Sequence, residues 1–150
     1  MEIQCVVDME GNEKCNDCSE EKPKWVSTNN AVLICGSCAK VHQKFNNEDI
    51  STVKSIEVDS FSKEEIEILT LGGNKRFTLL MNEYMITREV ENYNELKYHL
   101  GIAEYYRRLL KLESKKEKKL IKKPLIEEGI QLVDVNESGI MKMLSNVERK

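Results

Sequence analysis

The apolar and polar positions of the chain follow different spacings from one segment to the next. Residues 31–34 form a short apolar run, which predicts a strand leading into Cys35. Residues 39–45 would then continue as a helix. Apolar and polar side chains alternate imperfectly over residues 53–58, and this alternation predicts a short strand or extended segment that ends near Asp59.

Two helical stretches are predicted in the middle of the chain. Ser62 is predicted to be an N-cap, because Glu65 stands three residues later and would complete a capping box. The pair Gly72-Gly73 would end this first helix. Its inward face would comprise Ile66, Leu69 and Leu71. The second stretch is predicted from Phe77, Leu79, Leu80, Tyr84 and Met85.

A longer helix is predicted over residues 91–111. Apolar residues fall on one face of this segment at spacings of three and four, as expected for a helix that packs on a core. These residues are Leu96, Leu100, Ala103, Tyr106 and Leu110.

The composition changes after Leu112. Six lysines crowd into residues 115–123, and Pro124 closes the run. This lysine run predicts contact with anionic lipid; the alternatives are a solvated helix face or a contact with an acidic partner. Residues 130–135 would form a strand. A short amphipathic helix would follow, with Ile140, Met141, Met143, Leu144 and Val147 on one face.

Overall charge argues against nucleic acid as a partner. The chain has 23 basic and 26 acidic residues and a net charge of −3, so no global positive field would attract a polyanion. The longest apolar run, residues 31–35, is too short to span a bilayer. The acidic N-terminus resembles neither a secretory signal nor a basic transit peptide, which indicates a reducing, cytoplasmic compartment.

Four cysteines form two Cys-x-x-Cys pairs with sixteen residues between the pairs: Cys15, Cys18, Cys35 and Cys38. This spacing is typical of a structural zinc site with four thiolate ligands. Four thiolates close the coordination shell and leave no position for water or substrate, so the predicted ion is structural. Cys5 lies outside the pattern and is assigned no role.

Further residues around the cysteines match one family. They are Trp25, Ser27, Asn29, Ala31-Val32, Val41-His42, the segment 51–56, Asp59 and Gly73-Asn74, with Lys97-Tyr98 and Tyr105-Tyr106 in the place of a closing helix. Together with the cysteines they resemble the zinc domain of Arf GTPase-activating proteins over residues 12–112. The resemblance implies an α+β, mainly α fold, in which helices surround a small four-cysteine zinc module with a few short strands. It also implies one structural zinc ion and an Arf-type small GTPase as partner.

The chain departs from this family at the residues that act in catalysis. The family places an arginine five residues after the last zinc cysteine, and Gln43 stands there in this chain. Lys40 replaces a glycine of the family, Ala31 another glycine, and Thr78 an asparagine. No arginine precedes Arg76, so no simple realignment restores the arginine finger.

The resemblance therefore implies a catalytically degenerate member, a pseudo-GAP with no catalytic residue that acts as an interaction or structural subunit of a larger assembly. The alternative is an active GTPase-activating protein in which Lys44 or an arginine of a partner replaces the finger. Candidate partner-binding residues are Trp25, Lys40, Gln43 and Lys44. The alternative for Trp25 is packing over the zinc module, and His42 is interpreted as a hydrogen-bonded core histidine.

Three segments follow from this interpretation. Residues 1–11 would be a lead-in, residues 12–112 the zinc domain, and residues 113–150 a charged extension that wraps a partner or the domain's own surface. We expect a cytoplasmic protein with at most peripheral membrane contact. A stable assembly inside an organelle, such as a mitochondrial complex, is the alternative location.

Overall fold

The computed structural model describes residues 2–45, 47–117 and 120–133. Helices surround a small sheet, which confirms the predicted α+β, mainly α class. The helices are α1 (Ile3–Val7), α2 (Gly36–Gln43), α3 (Lys63–Leu71), α4 (Asn74–Glu83), α5 (Tyr93–Leu96), α6 (Gly101–Ser114) and α7 (Ile126–Gly129). The strands are β1 (Trp25–Ser27), β2 (Val32–Ile34) and β3 (Val53–Ser55).

The sheet is antiparallel, with the order β2-β1-β3. Val26 in the central strand pairs with Leu33 on one side and with Lys54 on the other. All three residues of β2 are fully buried, which confirms the strand predicted from the apolar run.

The strand β3 is shorter than predicted. A turn closes directly after it, because the carboxylate of Asp59 accepts a hydrogen bond of 2.7 Å from the backbone N–H of Ser55. The hydroxyl of Ser55 in turn accepts from the N–H groups of Glu57 and Val58. These local bonds satisfy backbone donors that a continuing strand would have paired, and Val58 is left 83% exposed.

The helix α3 begins at the predicted capping box. The hydroxyl of Ser62 accepts from the N–H of Glu65 at 3.1 Å, and the Glu65 carboxylate accepts from the N–H of Ser62 at 2.8 Å. Ile66 and Leu69 are buried as predicted. The inward orientation predicted for Leu71 is wrong, since this residue lies two positions beyond Leu69, on nearly the opposite side of a helix.

The two glycines after α3 allow a close approach of the backbone to β2. A Cβ atom on Gly72 would lie 2.3 Å from the Cβ of Ala31, and Gly73 has φ of +93°. In the following helix α4, Phe77 and Met81 face the core. The helix confirms the predicted helical stretch over Leu79 and Leu80, which it exposes in part, with Leu79 55% exposed; Tyr84 and Met85 lie beyond its end at Glu83.

The prediction of a single helix over residues 91–111 is wrong. The chain forms α5, a 3₁₀ turn over Lys97–His99, and then α6, with Leu100 extended between them at ψ of 156°. At this break Leu100 pairs with Leu132, and the N–H of Gly101 donates to Gln131 at 2.8 Å. The predicted inward residues Leu100, Ala103, Tyr106 and Leu110 are nevertheless buried.

Residues 120–133 pack back onto the domain's own surface, and we call them the C-terminal arm. Over residues 130–133, the described part of the strand predicted at 130–135, the arm makes an isolated bridge at Leu132, and residues 134–135 lie outside the described residues. The amphipathic helix predicted over residues 140–147 lies outside the described residues. None of the described helices combines the length and the apolar composition that a bilayer span requires.

The N-terminal residues form a packed element that the sequence analysis does not predict. The helix α1 packs on α3, and Val6 is fully buried. The side-chain amide of Asn12 donates to the carbonyl of Val6 at 2.7 Å and its oxygen accepts from the N–H of Asn74 at 2.9 Å. Asn12 thereby joins the N-terminal segment to the start of α4.

The capping box generates a stability prediction. We expect Ser62→Ala to lower the free energy of unfolding by about 1 kcal/mol, because the N–H of Glu65 loses its acceptor. Urea unfolding of the purified chain measures this change. The matched control is Ser60→Ala, since Ser60 is exposed and contributes a backbone carbonyl to Lys54. Equal unfolding midpoints for the two variants would contradict the role of the cap.

Candidate metal centre and the exposed face of α2

The four cysteines come together at one end of the sheet. Cys15 and Cys18 lie in a loop before β1, which we call the first cysteine loop (residues 15–18), while Cys35 precedes α2 and Cys38 lies in its first turn. Their sulfur atoms all lie within 4.8 Å of one another. A tetrahedral zinc ion with Zn–S bonds of about 2.3 Å places its sulfurs about 3.8 Å apart, so the cluster is of the right size to hold a metal ion.

The environment of the cluster favours the thiolate form of Cys15. The Cys15 sulfur accepts hydrogen bonds from the N–H of Asp17 at 3.4 Å and of Cys35 at 3.2 Å. A hydrogen bond from Cys38 lowers the pKa of Cys15 to about 5, while the same bond and burial raise the pKa of Cys38. Four adjacent thiols cannot all ionise against their mutual repulsion unless a cation binds between them.

A buried carboxylate lies directly behind the cluster. Asp17 is 1% exposed and its carboxylate bonds to three side chains from later in the chain: His42 Nε2 at 2.8 Å, Lys97 Nζ at 2.9 Å and the hydroxyl of Tyr98 at 2.5 Å. Burial alone would raise the pKa of Asp17. The bond with His42 and the positive charge of Lys97 outweigh burial and lower that pKa to about 2.

The backbone of the first cysteine loop is held by cations from later in the chain. Arg88 donates to the carbonyl of Asp17 at 2.6 Å, and Lys97 donates to the carbonyl of Asn16 at 3.3 Å. Sequence reasoning assigned no role to Asp17 or Arg88 and noted Lys97 only through the family resemblance. The sequence does not indicate that these residues form buried contacts, because a buried charged residue and an exposed one cannot be told apart from the sequence alone.

His42 connects the cysteine loop to the sheet. Its Nδ1 lies 2.6 Å from the hydroxyl of Ser51, which lies 2.7 Å from the hydroxyl of Ser27. The side-chain amide of Asn30 donates to the hydroxyl of Ser27, and the amide oxygen of Asn30 accepts from Arg107 in α6. These contacts confirm that His42 is a hydrogen-bonded core residue.

The opposite face of α2 is open to solvent. Lys40 and Gln43 are exposed on it, and exposed Lys44 follows as the C-cap. Because Lys40 lies three and four positions before the other two residues, all three share one face. Gln43 also lines a cleft of about 460 Å³ together with Thr52 and Val53, and no arginine is among the described residues that line it.

Trp25 lies at the other end of α2 from these three residues. Its indole nitrogen lies 3.6 Å from the point that a Cβ on Gly36 would occupy, at the first residue of the helix. The side chain is half-buried and packs against the core. The structure therefore groups Lys40, Gln43 and Lys44 but separates them from Trp25.

Comparison with known proteins identifies similar sequences. The family described as "Putative GTPase activating protein for Arf" matches residues 1–115. Protein GTS1 of Saccharomyces cerevisiae is 36% identical over 110 residues, which cover 64% of this chain and 28% of that protein. The ADP-ribosylation factor GTPase-activating protein GCS1 of the same yeast is 32% identical over 66% of this chain and 27% of its own length. The chain thus spans about a quarter of the length of these relatives.

Solved structures show the same fold. A "putative GTPase activating protein for ADP ribosylation factor" from Cryptosporidium parvum has a TM-score of 0.64 and 26% identity, covering 75% of this chain and 87% of that one. The ArfGap domain of HIV-1 Rev binding protein has a TM-score of 0.51 at 18% identity, covering 78% of this chain and 80% of that chain.

The buried carboxylate generates a second prediction. We expect Asp17→Asn to lower the free energy of unfolding by about 3 kcal/mol, because Lys97 would remain buried without its counter-charge. Chemical denaturation at equal metal content measures this change. Asp8→Asn is the matched control, since Asp8 is exposed and its carboxylate accepts a hydrogen bond from Gln4 one helix turn earlier. A midpoint for Asp17→Asn equal to that of the control would show that the ion pair adds nothing.

Proposed function

The chain belongs to the ArfGap family, and from this premise we propose that it is a zinc-stabilised domain that binds an Arf-type GTPase without accelerating its GTP hydrolysis. The observation that carries the proposal is Gln43, an exposed and uncharged side chain at the position that the family resemblance assigns to the arginine finger. In this view the chain is a pseudo-GAP that acts as an interaction subunit, in the cytoplasm or at the periphery of a membrane.

Zinc is the metal that the four cysteines would hold. Four thiolates form a closed tetrahedral shell, which suits Zn²⁺ and leaves no site for a reacting water. The ion would connect the first cysteine loop to the start of α2. The ion would therefore have a structural role, and the orientation of α2 would depend on metal binding.

Charge explains why Gln43 would not support catalysis. Phosphoryl transfer spreads negative charge over the oxygens of the transferred group, and an arginine finger stabilises this charge with a permanent cation and a planar fork of donors. A glutamine amide carries no net charge and offers two N–H donors. It can contact a nucleotide phosphate but cannot neutralise the charge that develops in the transition state.

The face around Gln43 retains the means to bind a partner. Lys40 and Lys44 place two positive charges beside Gln43, and all three side chains are exposed. Peripheral charges of this kind increase the association rate with a partner of opposite charge. This face would therefore support binding of a GTPase but would not accelerate its GTP hydrolysis.

One alternative function has a specific observation in its favour. Lys44 directly follows Gln43, is exposed, and carries the charge that Gln43 lacks. An active GTPase-activating protein could use Lys44, or an arginine supplied by a partner, in place of the finger. Lysine is a point charge without the planar fork, so its acceleration would fall below that of an arginine.

Metal analysis tests the scaffold. We expect one zinc ion per chain and a loss of folded structure on treatment with a strong chelator, because binding to four-thiolate sites contributes about 10 kcal/mol to folding. Elemental analysis and circular dichroism measure both effects. Cys38→Ser should lose the metal, whereas Cys5→Ser, which changes an exposed cysteine outside the cluster, should keep it. A metal-free chain with an intact fold would contradict this part of the proposal.

Single-turnover GTP hydrolysis tests the catalytic part. With a set of GTP-loaded Arf-type GTPases, we expect the wild-type chain to bind but to stimulate hydrolysis by less than about tenfold. Gln43→Arg should raise stimulation by at least about tenfold over wild type, since a complete finger supplies on the order of 10³ to 10⁵. Gln43→Lys is the matched control, because it adds charge without the fork.

Three outcomes would contradict the proposal in different ways. Stimulation by wild type of about a hundredfold would show an active protein, and loss of that stimulation in Lys44→Ala would identify the alternative mechanism. The absence of binding to every GTP-loaded Arf-type GTPase would exclude the GTPase as partner. An inactive Gln43→Arg variant that still binds would show that the missing arginine is not what limits catalysis.

A further inference from the structure

Two backbone carbonyls in the first cysteine loop lack a backbone donor. The carbonyl of Cys15 accepts from the N–H of Ser19 at 3.0 Å, which closes a turn around the loop. Among the described residues, no backbone N–H donates to the carbonyl of Asn16 or to that of Asp17. Both residues lie between Cys15 and Cys18, so a stable loop needs donors for these carbonyls from another part of the chain.

Arg88 and Lys97 supply these donors. Arg88 Nη1 lies 2.6 Å from the carbonyl oxygen of Asp17, and its Nη2 lies 3.4 Å from that of Asn16. Lys97 Nζ also donates to the carbonyl of Asn16, at 3.3 Å. Hydrogen bonds from charged donors are stronger than those between neutral groups. The loop is therefore held by side chains that are distant in sequence, with 71 positions between Asp17 and Arg88.

The two cations differ in their surroundings. Lys97 is fully buried and pairs with the carboxylate of Asp17 at 2.9 Å. Arg88 is exposed, and the ion pairs of the described part of the chain do not include it. Its guanidinium lies 5.6 Å from the centroid of the Tyr93 ring. Substitution of Arg88 therefore removes bonds to the loop without leaving a buried charge unpaired.

The charge of the cysteine cluster adds to the effect of these bonds. Four thiolates outnumber the two charges of a divalent cation, so the filled site would be negative. Asp17 adds a further negative charge, which Lys97 balances. Arg88 is bonded to the same loop and lines a cleft of about 270 Å³ together with Cys15. Its positive charge would therefore favour the metal-bound thiolates.

The second cysteine pair is held in a different way. Cys35 is the N-cap residue of α2 and Cys38 lies in the first turn, so the backbone of a helix fixes both. The hydrogen bonds that Arg88 makes to described residues go to the first cysteine loop. Loss of the Arg88 side chain should therefore release the first cysteine loop and spare Cys35 and Cys38.

We propose that Arg88 is a positioning residue for the metal centre, which increases metal affinity by holding the first cysteine loop in its binding geometry. The four sulfurs lie within 4.8 Å of one another with the loop held in this way. A loop that is fixed before binding loses less conformational freedom when the metal binds, and the metal is held more tightly as a result. The inference rests on the zinc site of the proposed function and needs no GTPase.

Competition with a zinc chelator tests the proposal on the full chain. We expect Arg88→Met to bind Zn²⁺ about tenfold more weakly than wild type, because the loop loses two charged donors. Arg88→Lys should recover part of this loss, since it restores the charge without the planar fork. Arg108→Met is the charge-matched control, because Arg108 is exposed on α6, and it should bind Zn²⁺ like wild type.

Cysteine alkylation separates positioning of the loop from a general loss of stability. In the zinc-bound Arg88→Met variant, both cysteines of the first cysteine loop should react with N-ethylmaleimide about tenfold faster than in wild type. Cys35 and Cys38 should keep their wild-type rates, and mass spectrometry of the peptides measures each cysteine. Ser62→Ala is the stability control, because it removes a helix cap without touching the loop, and any acceleration should be equal at all four cysteines.

Each part of the experiment has a result that overturns the proposal. Equal zinc affinities for Arg88→Met and wild type would show that Arg88 adds nothing to metal binding. Equal acceleration at all four cysteines of Arg88→Met would assign the effect to general stability. Either result would leave the zinc site of the proposed function intact, whereas a wild-type chain that binds no zinc would contradict both.

Discussion

The buried carboxylate of Asp17 is the point at which the cysteine cluster, α2 and the later helices meet. Removing a charge from water costs several kcal/mol, and such a site is stable only where opposite charges and hydrogen bonds compensate. Here His42 of α2 and Lys97 and Tyr98 of the 3₁₀ turn provide both. Because the groups that bind Asp17 come from α2 and from the 3₁₀ turn, its burial requires that these elements pack against the first cysteine loop in one arrangement.

This constraint also fixes which face of α2 points outward. His42 is held inward by Asp17 and Ser51, whereas Lys40, Gln43 and Lys44 lie on the exposed side of the helix. The orientation of the exposed face therefore depends on His42 and not on the residue at position 43. The buried bonds of His42 and the cysteine cluster therefore do not depend on which side chain stands at position 43, and a glutamine there is compatible with both.

Features that rest on local rules could be predicted from the sequence. The cysteine spacing, the buried strand β2 and the capping box at Ser62 each depend on residues close together in the chain. The helix break at Leu100 could not be predicted in the same way, since it depends on backbone bonds to Gln131 and Val133 more than thirty positions later. The burial of Lys97 could not be predicted from the sequence either. A lysine favours solvent unless a specific buried anion compensates it, and that anion, Asp17, lies in a segment 80 positions earlier.

The break at Leu100 also links the core to the C-terminal arm. A continuous helix would satisfy its own backbone groups and leave none for the arm, whereas the extended Leu100 and the start of α6 offer a carbonyl at His99 and an N–H at Gly101. The arm pairs with both, and a Cβ on Gly101 would lie 2.8 Å from the carbonyl oxygen of Glu128, so a larger residue there would push the arm away. Because these contacts lie at the end of the arm nearest residue 133, they hold it while Leu120 and Leu125 stay exposed. The irregular backbone at Leu100, which contradicts the predicted continuous helix, is thus the feature that holds the arm against the start of α6.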